Sequence, residues 1–175
     1  MHQGNRDWLK SVREKYPEHF KDAQVLEIGS YNVNGTARDY FKDAKRYVGV
    51  DCCKGKCVDI VCKATETKFK PGEFDTLVYL SVFEHDPIWR AGFEHNLPWV
   101  RTGGLILICF GAEGNLPHPP EPWAIVPVKA WEKAAKEMPL EILDAFFEKD
   151  RKGITYDTPG AYDVLARKIA TLNPL

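Results

Sequence analysis

Two hydrophobic periodicities alternate along this chain. Between Asn5 and Tyr16 the apolar positions are Trp8, Leu9, Val12 and Tyr16, spaced so as to share one face of a helix. Asn5 stands where an N-cap is expected, and Pro17 closes the segment. Short, mainly apolar runs follow: Val25-Leu26-Glu27-Ile28 ending at Gly29, then Arg46-Tyr47-Val48-Gly49-Val50 ending at Asp51. Val58-Asp59-Ile60-Val61-Cys62, Phe74-Asp75-Thr76-Leu77-Val78-Tyr79-Leu80 and Leu105-Ile106-Leu107-Ile108-Cys109 repeat the pattern. Runs that are apolar on both faces predict strands covered from two sides, as in a parallel sheet. Residues 36–41 predict the opening of a helix. Asp86-Pro87 predicts another start, with Asp as cap and Pro in the first turn; Ile88, Trp89, Phe93 and Leu97 form its apolar face, and Pro98 ends it. Residues 128–138 predict a third helix, and residues 141–147 and 161–170 two closing strands. Residues 111–122 are too rich in proline for regular structure. The expected class is α/β.

At 175 residues the chain has room for one domain. Its 44% hydrophobic and 28% charged residues are those of an ordinary globular protein. Twenty-four basic against twenty-five acidic residues leave a net charge of −1, which argues against a nucleic-acid partner. No run approaches the ~20 apolar residues that span a membrane, and residues 1–7 lack the apolar core of a signal peptide. Cys52, Cys53, Cys57 and Cys62 crowd together, but their spacing is not the paired C-x2-C of common zinc sites and no histidine lies nearby. No metal ligands are expected. With Cys109 the cysteine count is odd, which points to reduced thiols and a cytoplasmic setting.

The candidate chemistry begins after the first strand. In an open parallel sheet, ligands bind outside the carboxyl ends of the strands. The loop there is Gly29-Ser30-Tyr31-Asn32-Val33-Asn34-Gly35. Glycines permit a sharp turn and close approach of a ligand, and asparagines tolerate left-handed backbone. Amides at the next helix start would face an anion. Asp51 ends the second strand, sixteen residues past Gly35, where an acid can accept hydrogen bonds from both hydroxyls of a ribose. The loop is not G-x-G-x-x-G, so a dinucleotide is a poor fit. A nucleoside with an amino-acid tail fits better.

These segments, taken in order with Ser81-Val82-Phe83-Glu84-His85 and Gly103-Gly104-Leu105, resemble the class I S-adenosylmethionine-dependent methyltransferases, most closely the small stand-alone "type 11" enzymes. The resemblance runs from about Val25 to Cys109. It implies a Rossmann-like, doubly wound three-layer α/β/α fold, mostly parallel, with the strand near Tyr162 to Arg167 antiparallel. It also implies one domain over 1–175: an N-terminal helix in 1–20, a cofactor-binding half in 24–110 and a substrate-side half in 111–175. Glu27 and the loop residues Gly29, Ser30, Tyr31, Asn34 and Gly35 would hold the methionine moiety. Asp51 would take the ribose, with Cys52 beside it. Ala64 would offer backbone to the adenine, and Leu80 and Ser81 would line the cofactor beneath the sulfonium. Two departures stand out. Tyr31 and Val33 fall where glycines are common, and Lys63 stands where relatives often carry an acid for the adenine amino group. A lysine cannot accept that bond, which implies either weaker cofactor affinity or an adenine held by backbone alone.

Methyl transfer is an in-line displacement, so positioning is the protein's main task, with a base useful for hydroxyl or protonated amine acceptors. His85 is the candidate base; the alternative is that it braces the following helix start beside Glu84 and Asp86. Leu80-Ser81-Val82-Phe83 is not the N-P-P-Y or D-P-P-Y sequence of enzymes that methylate adenine or glutamine amino groups. Substrate-side residues are sought in the N-terminal helix and residues 111–123, with Phe110, His118, Trp123 and Trp131 as lining candidates. The expectation is a methyltransferase acting at an oxygen or nitrogen of a small-molecule or sugar-like acceptor. A binding module of the same fold without turnover is the alternative.

Overall fold

The computed structural model describes residues 1–170; residues 171–175 lie outside the described residues, and so does that end of the domain expected over 1–175. Its strands are β1 (Gln24–Ile28), β2 (Arg46–Asp51), β3 (Ile60–Val61), β4 (Phe74–Leu80), β5 (Val100–Gly111), β6 (Leu140–Phe147) and β7 (Ala161–Lys168). They form one sheet in the order β3-β2-β1-β4-β5-β7-β6. The first five are parallel, and β7 runs antiparallel to both β5 and β6. This is the expected three-layer α/β/α architecture. Helix α1 (Gln3–Lys15) packs Trp8, Leu9 and Val12 on one face of the sheet, with Phe20 and Phe41. Helices α2 (Trp89–Asn96) and α3 (Val128–Lys136) cover the other, where Phe83, Phe93, Phe110 and Trp131 pack together. Among the described residues, no helix is long and apolar enough to cross a membrane.

Several local expectations are corrected. Asn5 is not the cap of α1: it lies inside the helix, fully buried, and His2 holds the N-cap position. The first amides of α1 are satisfied from far away, because the Asp157 carboxylate accepts from Gln3 N (2.8 Å) and Gly4 N (3.3 Å). The helix expected at residues 36–41 is a single 3-10 turn, Ala37–Tyr40. Phe41 stacks on Phe20 with ring centroids 4.3 Å apart, which draws the chain inward after one turn. An anion site at a helix start is therefore not built there. The third strand shortens from 58–62 to two residues because it is the sheet edge, and Asp59 turns its carboxylate onto Gly49 N (2.7 Å). Asp86-Pro87 makes a turn ahead of α2, with Asp86 Oδ1 accepting from Ile88 N (3.0 Å).

Two acids lie buried near α1. Asp163 is in β7 and accepts from Asn5 Nδ2 (3.5 Å); Glu148 follows β6. Burial pushes the Glu148 carboxyl up to about 9, helped by the charges of Asp163, Asp157 and Asp7, and burial pushes Asp163 up to about 7. Both titrate near ~4 when unfolded. A raised folded value means that the stability they allow is complete at pH below ~4 and declines as pH rises through about 7 and about 9. Each proton held only by the folded state makes this decline about 1.4 kcal/mol per pH unit, or roughly 3–6 °C in melting temperature. The E148Q/D163N variant should therefore gain on the wild type between pH 6 and pH 9 in thermal melts. A constant difference across that range would show that these groups ionise normally.

Candidate active site

The sheet order reverses between β1 and β4, and a cavity of about 1060 Å³ opens at their carboxyl ends. His85 and all eleven cofactor-binding candidates from the sequence line it. Glu27 and Gly29 close β1, Asp51 and Cys52 close β2, and Leu80 and Ser81 close β4. Ala64 enters from the turn after β3, and His85 from the turn after β4.

The glycine loop is held by its own polar groups. Asn32 Oδ1 accepts from Gly35 N (2.8 Å), Asn32 N donates to Lys56 O (3.0 Å), and Arg6 Nη2 donates to Asn34 O (3.0 Å). Asparagines thus supply the turn that extra glycines would otherwise make. Gly29 has φ +79°, and a Cβ built there would lie 2.2 Å from Val82 Cγ2. Only glycine fits. Asp51 fastens both ends of its surroundings: Oδ2 accepts from Tyr31 N (3.0 Å) and Oδ1 from Cys53 N (2.9 Å). Each oxygen retains a lone pair for a ligand. Glu27 is buried, and burial pushes its carboxyl up to about 7, although Tyr47 Oη donates to it at 2.8 Å. Ser81 adopts φ +56°, a left-handed conformation uncommon for serine, held by Ser81 N donating to Cys109 O (2.8 Å). Lys63 lies on the rim, its ammonium 3.8 Å from Glu66.

The opposite wall comes from the proline-rich segment. Ala124 N donates to Glu84 O (2.8 Å), and Asn115 Nδ2 donates to Pro159 O (2.8 Å). Gly160 permits the close approach, since a Cβ there would lie 2.1 Å from Asn115 N. Phe110 and His118 line the cavity as expected, whereas Trp123 is not among its lining residues and Trp131 is buried in the core. Neither nitrogen of His85 is free: Nδ1 lies 3.3 Å from Pro122 O and Nε2 3.2 Å from His118 Nε2. Burial lowers the His85 pKa. Glu84, treated in the sequence only as a neighbour of His85, is 3% exposed, and burial pushes its carboxyl up to about 7. Asn115, Leu116 and Asp157 also line the cavity. No local pattern marks them, because loops returning from distant parts of the chain bring them there.

No family model matches the sequence, and no curated protein matches it. Solved structures do. An S-adenosylmethionine-dependent methyltransferase from Methanosarcina mazei superposes with a TM-score of 0.67 at 14% identity, covering 90% of this chain and 97% of its own. The chain has the fold of the class I S-adenosylmethionine-dependent methyltransferases. Burkholderia thailandensis 1,6-didemethyltoxoflavin-N1-methyltransferase, solved with its substrate and S-adenosylhomocysteine, superposes with a TM-score of 0.65 at 14% identity, covering 93% of this chain and 77% of its own. The [4+2]-cyclase SpnF reaches 0.68 at 14% identity, covering 93% and 80%. A fold that also serves a cyclase leaves the reaction to be argued from the site.

Proposed function

We propose that this chain is an S-adenosylmethionine-dependent methyltransferase that transfers a methyl group to an oxygen or nitrogen of a small-molecule or sugar-like acceptor. The observation that carries this reading is the make-up of one cavity. It is lined both by the glycine loop, Glu27 and Asp51 and by His85, His118 and the proline-rich segment.

The residues present fit the cofactor. Ser30 Oγ, buried and without a hydrogen-bond partner among the described residues, belongs to the cavity lining, and the Asp51 carboxylate has acceptor capacity left for two ribose hydroxyls. Glu27, with the backbone of the loop from Gly29 through Ser30, Tyr31 and Asn34 to Gly35, would hold the methionine end. Asp51 would hold the ribose beside Cys52, and Ala64 would offer backbone to the adenine. Leu80 and Ser81 would form the floor beneath the reacting centre. S-adenosylmethionine, when bound, supplies an electrophilic methyl carried on a sulfonium. What the chain supplies is position and exclusion of water, which can account for much of the barrier reduction in a displacement of this kind. His85 and His118, side by side in the cavity lining, would face the acceptor. The five free cysteines support a reducing compartment, the cytoplasm, as the protein's setting.

Lys63 keeps the second reading open, a module that binds a nucleoside without turnover, since an ammonium offers the adenine no acceptor. Calorimetric titration with S-adenosylmethionine, S-adenosylhomocysteine and NAD is the first test. The two sulfur nucleosides should bind and NAD should not. Binding of NAD in place of the sulfur nucleosides would overturn the cofactor assignment, and turnover against an acceptor panel separates enzyme from module.

A further inference from the structure

In the cavity lining, the side chains of Glu84, His85 and His118 converge, with one potential ligand atom of each within 4.8 Å of the others. The hydrogen bonds around the two rings decide their tautomers. His118 Nδ1 lies 2.9 Å from Leu116 O, and His85 Nδ1 lies 3.3 Å from Pro122 O. A carbonyl oxygen can only accept, so both Nδ1 atoms carry the proton. In two neutral rings, both Nε2 atoms then present lone pairs, and they face each other at 3.2 Å. Two lone pairs at that distance repel unless a cation stands between them. Beside them Glu84, 3% exposed, has an Oε2 atom with no hydrogen-bond partner among the described residues. A buried carboxylate oxygen without a donor is costly, and it too calls for a positive partner.

We propose that Glu84, His85 and His118 form a binding site for a divalent transition ion such as Zn²⁺ or Fe²⁺, seated in the wall of the cavity. Two imidazoles and one carboxylate are a ligand set that such ions favour. The geometry agrees. With metal–nitrogen bonds of about 2.1 Å, an Nε2–Nε2 separation of 3.2 Å corresponds to an N–metal–N angle of about 100°, between octahedral and tetrahedral values. One oxygen of the Glu84 carboxylate lies within 4.8 Å of both rings' ligand nitrogens and completes the set. The carbonyls of Leu116 and Pro122 act as the outer partners that fix ring tautomer and orientation in metal-bound histidines. Three protein ligands leave open positions, and all three ligand residues line the cavity. In the methyl-transfer reading, on which this one consequence rests, an acceptor hydroxyl would occupy such a position and lose its proton more readily. The sequence offered no sign of the site, because it lacks the close ligand spacing of familiar zinc motifs: His118 lies thirty-three residues beyond His85.

The test needs no cofactor. The chelator-treated, full-length protein is titrated with Zn²⁺ in competition with a chromophoric chelator, and separately with Co²⁺ as a spectroscopic probe of the ligand field. One equivalent should bind with micromolar or tighter affinity. E84Q, H85A and H118A should each weaken it by at least about 100-fold, the upper end of losses seen for mere outer-shell partners. H95A, H2A and the C52S/C53S pair should bind as the wild type does. His2, with Cys109 and Glu148, and Cys52 and Cys53, with Asp51, are the other two clusters with metal-binding donors among the described residues. A wild type that binds no ion tighter than millimolar would mean that a shared proton joins the two rings, and the proposal would fall. It would fall equally if H118A retained full affinity, or if binding were lost in H2A or C52S/C53S instead. Neither result would disturb a successful titration with S-adenosylmethionine, and failure of that titration would leave the metal result standing.

Discussion

A Gly29→Val variant should bind no S-adenosylmethionine at concentrations that saturate the wild type. Gly29 sits at the end of β1 with φ +79°, where a residue with a side chain costs ~1–2 kcal/mol and a branched one more. The new Cβ would also meet Val82 Cγ2 at 2.2 Å, far inside contact distance. Gly29 N donates to Val50 O (2.8 Å), so the chain has little freedom to relax away from the clash. What yields is the loop or the Ser81–Val82 turn opposite, and both line the cavity. Gly153→Val separates local strain from loss of the site. Gly153 has a similar φ of +86° with nothing within 4 Å of a Cβ, and it is not among the cavity residues. That variant should lose stability and keep binding. If folded Gly29→Val protein bound the cofactor normally, the loop would be a structural turn only.

Asp51→Ala should weaken cofactor binding by about 1–3 kcal/mol, roughly 5- to 150-fold, the scale of lost hydrogen bonds to a charged group. The effect has two parts. The carboxylate would no longer accept the ribose hydroxyls, and Tyr31 N and Cys53 N would lose the acceptor that fixes the loop. Asp51→Asn divides them, since its single carbonyl oxygen can serve one amide and its NH₂ cannot accept from a hydroxyl. Calorimetry on both variants, beside melting curves, measures the parts. A dissociation constant unchanged in folded Asp51→Ala would remove this residue from the site.

Much of this architecture was legible because it depends on near neighbours. Apolar runs such as Leu105-Ile106-Leu107-Ile108-Cys109 can be buried on both sides only inside a covered sheet, and the helical spacing of Trp8, Leu9 and Val12 marks one face of α1. A glycine after one strand and an acid after the next point to the carboxyl edge, where the cavity indeed lies. The helix expected after Gly35 was not legible correctly, because the pull of Phe41 onto Phe20 overrides the local helical tendency. Lys168 shows the same limit. A lysine near a strand end reads as exposed, yet this one is 1% exposed, and its ammonium donates to the carbonyls of Leu97 and Val100.

By itself, then, the sequence determined which segments become strands, that the sheet is covered on both faces, and which turns carry the glycine loop and Asp51. Residues within a few positions of one another set those features through steric preference and burial. The tertiary structure alone decided that Asp157 caps α1 from the far end of the chain, that β7 inserts between β5 and β6, and that His118 meets His85 over the buried Glu84. Each of these joins groups separated by tens of residues or more. Their meeting depends on where intervening loops return, and no local window of sequence contains that information.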